Sequence, residues 1–262
     1  MPTKMVLIHG AFVDSTSWDT FVPFFEARDY EVIAPEWPRK STGAHEAPGD
    51  LAGLGVAEIV DHYQDIVASL PEPPVLVGHS FGGLFVELLL GRGLGLAGVA
   101  LDPAPPKGVL GIAYSEFKAL SPVLLHPSKS HGVVKLTPEQ FDYGFTNTFP
   151  PDAAARAYTK YAVPETGRIF FQGAFANFEL HSPLEVDYAK ADRAPLLITA
   201  GEKDNIVPPS VAREAYEKYA KSPARTDFVE FPGMPHLLMV APGWERVADY
   251  VAAWLEQVLP KA

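Results

Sequence analysis

The chain has 262 residues, 47% of them hydrophobic and 20% charged, a balance that suits a folded protein with a large core and excludes a disordered polymer. Its 32 acidic against 21 basic residues give a formal charge of -11, which argues against a nucleic acid or an anionic membrane surface as partner. With no cysteine, disulfides, thiolate catalysis and cysteine-ligated metals are excluded.

Residues 5–8 form the first predicted strand, which runs into His9, Gly10 and Ala11 as a ligand-facing loop. Ser17 is the expected cap of a helix in which Trp18, Phe21, Val22, Phe24 and Phe25 make one apolar stripe. Residues 30–34 are the next strand, closed by Pro35 and Pro38, and residues 38–54 read as a surface loop. Val56, Ile59, Val60, Tyr63, Ile66, Val67 and Leu70 then recur at helical spacing until Pro71, Pro73 and Pro74 stop the element.

Residues 74–90, PVLVGHSFGGLFVELLL, organise the rest. An apolar strand runs through Gly78, His79, Ser80, Phe81 and Gly82 straight into an apolar helix, the arrangement of a nucleophile elbow. The glycines two positions either side of Ser80 leave room where strand and helix nearly collide, and the turn lifts the hydroxyl above the sheet. Ser80 is the candidate nucleophile.

A strand at residues 96–101 follows, so strands and helices alternate as in a largely parallel sheet covered on both faces. From Asp102 to about Lys190 this rhythm breaks into proline-punctuated helical patterns. These carry Phe117, Phe141, Tyr143, Phe145, Phe149, Tyr158, Tyr161, Phe170, Phe171, Phe175 and Phe178. So long an excursion is expected to be an inserted cap of short helices, its aromatics either facing a cavity or holding the cap together. The sheet pattern resumes with strands at residues 196–200 and 228–231 and helices at 209–219 and 244–259. The expected division is a core of residues 1–102 and 191–262 with a cap of residues 103–190. There is no internal repeat or interdomain linker.

A serine hydroxyl needs a base, and an imidazole needs a third group to hold its tautomer. His236 lies in the loop after the last strand and Asp204 in the loop one strand earlier, at the sheet edge onto which the elbow opens. The chain order Ser80, Asp204, His236 fits a serine, acid, histidine triad. Asp102 also follows a strand and is a rival acid, and Glu202 is a weaker one. Backbone N–H groups of Ala11 and Phe81 are the candidate oxyanion donors. His9 and His79 read as hydrogen-bonding residues that order their loops.

On these residues the chain resembles the α/β-hydrolases, within them the short esterase branch that includes plant methylesterases and hydroxynitrile lyases. The resemblance covers nearly the whole chain, the cap least. It implies a mostly parallel sheet of about six strands, without the family's first two, flanked by helices and carrying a helical cap. It implies Ser80 as nucleophile, Asp204 as acid, His236 as base, and Ala11 and Phe81 as oxyanion donors.

Departures from the lyase pattern narrow the activity. Plant lyases carry Thr at the position of Ala11 and Lys at that of Leu237, so nothing here would stabilise leaving cyanide. Haloalkane dehalogenases use Asp where Ser80 stands, while cofactor-free perhydrolases use the same triad. The expected activity is hydrolysis of a small apolar or aromatic ester or lactone, with no cofactor and no metal. Trp37, Phe145, Phe175, Phe178 and Leu237 are the pocket candidates. A hydrolase-fold receptor holding such a ligand is the alternative. No apolar run is long enough for a membrane span, and the opening MPTKMVLIHG lacks a secretory pattern, so a cytoplasmic protein is expected, its oligomeric state left open.

Overall fold

Runs of Val, Leu, Ile and Ala that are buried on both faces make central parallel strands, and the chain has four of them. A computed structural model describes residues 2–43, 45–46, 48–110 and 114–260, the side chains of residues 114, 116 and 117 excepted. Phe117, one of the cap aromatics, has its side chain outside the described residues. In chain order the first half comprises β1 (Thr3–Ile8), α1 (Phe21–Glu26), β2 (Tyr30–Ile33), α2 (Val56–Ser69), β3 (Val75–His79), α3 (Phe81–Gly91) and β4 (Ala97–Leu101). An inserted stretch holds α4 (Tyr114–Leu124), β5 (Val133–Val134), α5 (Pro138–Phe141), α6 (Pro151–Tyr161), β6 (Glu165–Thr166) and α7 (Arg168–Phe175). The chain then adds β7 (Leu196–Gly201), α8 (Pro209–Lys218), β8 (Thr226–Phe231) and α9 (Glu245–Val258).

The main sheet has six strands in the order β2-β1-β3-β4-β7-β8, and every neighbouring pair is parallel. Register runs through Met5 beside Val75, Val75 beside Ala97, Gly98 beside Leu196 and Leu196 beside Thr226. The edge strands β2 and β8 are only partly buried, whereas β3, β4 and β7 are buried throughout. Parallel pairing puts the carboxyl ends of all six strands at one edge, so the loops after β1, β3, β4, β7 and β8 converge there.

α3 is buried from Phe81 to Leu90 because it packs directly on the centre of the sheet. Gly98 permits this, since a Cβ there would meet Leu90 Cδ1 at 2.5 Å and Val86 Cγ1 at 2.7 Å. α2 buries Ile59, Val60, Tyr63 and Val67, and α9 buries Val247, Val251, Trp254 and Leu255, each along one helical stripe. The expected strands and helices are present with bounds shifted by one or two residues. One helix differs: α1 begins at Phe21 with Thr20 at its N-cap position, and Ser17 is buried in a separate 3-10 turn at residues 15–18 that Asp14 caps by accepting from Thr16 N–H. The inserted stretch between β4 and β7 is helical, with the short antiparallel pair β5-β6 between its helices.

Candidate active site

Ser80 sits between β3 and α3 at φ 56° and ψ -120°, a conformation an L residue rarely takes and one that costs on the order of 1–3 kcal/mol. Its neighbours hold it there. Ser80 N–H donates to the Leu101 carbonyl at 2.9 Å, and its own carbonyl accepts from Ala104 N–H at 3.0 Å and Leu84 N–H at 3.2 Å. A Cβ on Gly78 would collide with the carbonyl of Gly82, and one on Gly82 with the carbonyl of Ile8. The glycine spacing is therefore imposed by backbones in contact. Gly10 presses the loop after β1 against this turn, since a Cβ there would come 2.9 Å from Ser80 Cβ and 2.9 Å from His79 Nδ1.

His236 is fully buried, with Nδ1 2.6 Å from Asp204 Oδ2. Asp204 Oδ1 accepts from Ile206 N–H at 2.7 Å and Val207 N–H at 2.9 Å, so the carboxylate is fixed from both oxygens. His236 Nε2 is buried and makes no hydrogen bond among the described residues. Burial pushes the imidazole down to about 3, leaving it neutral and able to accept a proton. His79, the residue before Ser80, holds its ring 4.6 Å from that of His236, tilted by 53°. One ring thus joins the serine turn to the histidine loop.

The rival acid is also close. Side-chain ligand atoms of Asp102, Asp204 and His236 all lie within 4.8 Å of one another, but the 2.6 Å contact with His236 is made by Asp204. This trio is also the grouping among the described residues that could hold a metal ion, yet Asp204 already spends its oxygens on three N–H groups. Glu202 is exposed and accepts from Gly233 N–H at 2.7 Å, away from the trio.

Ser80, Ala11 and Phe81 border one cavity of about 210 Å³ beneath the inserted helices. Phe12, Phe145, Phe170 and Leu136 make its wall predominantly apolar, with Gln140 and Asn177 as polar points. Phe145 is the one expected pocket residue that lines it, with its ring 5.3 Å from His236. The other four lie elsewhere. Trp37 is buried under the β1 loop, stacked on His9 at 5.0 Å and donating Nε1–H to the His9 carbonyl. Leu237 is fully buried behind Phe145, donating its N–H to that residue's carbonyl at 3.1 Å. Phe175 and Phe178 are 53% and 85% exposed, because α7 buries Ile169 and Phe170 and places Phe175 on another face.

A buried ion pair went unnoticed in the sequence. Lys40 Nζ lies 2.8 Å from Glu165 Oε2 and 2.9 Å from the Val13 carbonyl, and Glu165 also accepts from Phe12 N–H. The Phe12 carbonyl in turn accepts from Val163 N–H at 3.0 Å. The inserted stretch therefore grips the residue after Ala11, which itself stands at φ 62°.

The sequence pattern of the alpha/beta hydrolase family matches residues 5–252. The chain belongs to the alpha/beta hydrolase family. Over 91 residues this family member is 38% identical to a pyrethroid hydrolase of Sphingobium wenxiniae, a stretch spanning 33% of this chain and 30% of that protein. Its fold is similar to that of a methylesterase from Arabidopsis, with a TM-score of 0.70 and 16% identity over 97% of this chain and 99% of the other. A monoacylglycerol lipase of Paleococcus ferrophilus gives a TM-score of 0.66 at 23% identity, over 96% and 93% of the two chains. A pyrethroid hydrolase from Sphingobium faniae gives 0.67 at 21% identity, over 97% of each. Among the described residues no helix is long and apolar enough to cross a membrane.

Proposed function

We propose that the chain is a serine carboxylic ester hydrolase acting on small apolar or aromatic esters or lactones. One observation carries this reading: a strained Ser80 opens onto an apolar cavity, while a buried His236 bonded to Asp204 lies against Phe145 of the cavity wall. The names of the relatives, a methylesterase, a monoacylglycerol lipase and pyrethroid hydrolases, support the same bond type.

In this reading His236 Nε2 accepts the Ser80 proton as the hydroxyl attacks an ester carbonyl. Backbone N–H groups of Ala11 and Phe81 stabilise the oxyanion, helped by the positive end of α3. Asp204 holds the imidazolium, which then protonates the leaving alkoxide. Water deprotonated by His236 cleaves the acyl-enzyme and regenerates Ser80. Residues 1–102 and 191–262 act as the catalytic core and residues 103–190 as the cap that closes the substrate cavity.

The test is steady-state and burst hydrolysis of a panel of aryl and alkyl esters and lactones, run beside Ser80→Ala and His236→Ala. Repeated turnover lost in both variants is the expected result. Tight binding without turnover would replace this reading by that of a receptor.

A further inference from the structure

Asp102 follows β4 directly at φ 46°, a left-handed backbone that an L residue rarely adopts, and its side chain is wholly buried. β4 and β7 are neighbours in the sheet, so the turns that carry Asp102 and Asp204 open side by side. Asp102 Oδ1 accepts from the Thr199 hydroxyl at 3.2 Å. Oδ2 is buried and packed against Gly201 so closely that a Cβ there would come 3.0 Å from it. Among the described residues neither acid is paired with lysine or arginine; the ion pair of Asp204 is to His236.

Two buried carboxyl groups within 4.8 Å of each other cannot both be anionic without a cation between them. Hydrogen bonds decide which one keeps the proton. Asp204 accepts three N–H groups, from His236, Ile206 and Val207, whereas Asp102 has only the Thr199 hydroxyl and the Gly201 N–H to favour its charge. The charge belongs on Asp204.

We propose that Asp102 is a positioning residue: a buried, neutral carboxylic acid whose proton is donated to Asp204 and keeps that carboxylate aimed at His236. The proposal rests on the reading of Asp204 and His236 as acid and base, and deepens it. A neutral donor adds a third direction of restraint without a second negative charge, and it lowers the basicity of Asp204 so that the proton taken from Ser80 stays on His236. Burial raises both carboxyls above the usual carboxylate range; the neighbouring Asp204 raises Asp102 further, while the N–H groups of Val207 and Ile206 and the hydrogen bond with Asp102 pull Asp204 back down. The titratable groups that face it are Asp204 beyond β7, His236 beyond β8 and His79 at the end of β3, with His9 and Glu36 behind His79. His79 and His236 are both driven towards neutrality by burial, so neither supplies a cation that would draw the proton off Asp102. When alkaline pH does remove it, the new charge stands against Asp204 and activity falls.

The test compares wild type with Asp102→Asn and Asp102→Gly, both residues that accept a left-handed backbone. Asn keeps a neutral donor, and Gly removes it. With protein labelled at the aspartate carboxyl carbons, the NMR signal absent from Asp102→Asn should remain that of a protonated acid at neutral pH. In ester hydrolysis Asp102→Asn should keep kcat within about threefold and lose the alkaline decline, while Asp102→Gly should lower kcat about tenfold or more at unchanged KM. An ionised signal at neutral pH would overturn the proposal, as would Asp102→Asn falling as far as Asp102→Gly at a native melting temperature. If wild type turns over no ester, the hydrolase reading fails, and the NMR titration still decides the protonation of Asp102.

Discussion

His79 and His236 are joined by a hydrogen bond from the ring Nε2–H of the first to the backbone carbonyl of the second, 2.8 Å long. The residue before the serine thus fixes the backbone of the residue that faces it from the loop after β8. Replacing His79 by Phe keeps the bulk but orphans a buried carbonyl, which should cost about 1–3 kcal/mol in urea unfolding and lower kcat more than it raises KM.

The same pair sets the acid stability. Burial pushes His79 well below its ordinary value and His236 down to about 3, so both are neutral when folded. Unfolded, each binds a proton below about 6.5, so stability should fall as pH drops from there, by up to about 1.4 kcal/mol per pH unit for each ring. In His79→Phe that slope should be roughly halved. Unfolding curves at a series of pH values check this.

Glu87 predicts the opposite sign. It is buried in α3, accepts the Tyr219 hydroxyl at 2.6 Å and is raised by burial from 4.5 to about 8. The folded protein therefore holds a proton that the unfolded chain releases, and stability from this group is lost as pH rises from 4.5 through about 8. Glu87→Gln can still accept from Tyr219. It should match wild type below that window, gain over it progressively within the window and keep a constant advantage above it, by the same unfolding measurement.

The Lys40–Glu165 pair should be costly to break from either side. Glu165→Gln or Lys40→Met leaves a buried charge without its partner, at about 3–5 kcal/mol. The double substitution should cost less than the sum, a coupling that a double-mutant cycle measures. Because Glu165 and Val163 hold the Phe12 peptide beside Ala11, both single variants should also lose kcat on small esters.

Gly173 offers a probe of the cavity. A Cβ there would lie 3.9 Å from both Phe81 Cζ and Leu184 Cδ2, so alanine fits. Gly173→Ala should stabilise α7 by about 0.5–1 kcal/mol and leave small esters unaffected. Gly173→Leu should raise KM for bulky aryl esters about tenfold or more and spare acetates, because one side chain then fills part of a 210 Å³ space.

Residues near one another in sequence made the elbow legible. Gly78, Ser80 and Gly82 lie within a single turn, and the backbone that Gly78 meets is that of Gly82 at the start of the next element, so spacing encodes that contact, whereas Gly82 meets the Ile8 carbonyl of β1, which only the sheet brings there. Alternating apolar strands and helical stripes likewise marked the order of the core elements, since each reports the burial of its own face. The pocket wall was less legible. Aromatic content in the inserted stretch does not say which ring turns inward: Phe145 and Phe170 do, while Phe175 and Phe178 face solvent and Trp37 is spent on His9.

By itself the sequence determined an alternating parallel core, a glycine-flanked serine at a strand-to-helix turn, and acids and a histidine placed after later strands. Tertiary structure alone decided which acid touches the histidine and where the other one goes. Asp102 and Asp204 are separated by the whole inserted stretch, and only the pairing of β4 with β7 sets their carboxyls within 4.8 Å. The reason is physical: local patterns fix an element's type and buried face, whereas proximity between distant groups depends on strand order and long-range packing, which no short run of residues encodes.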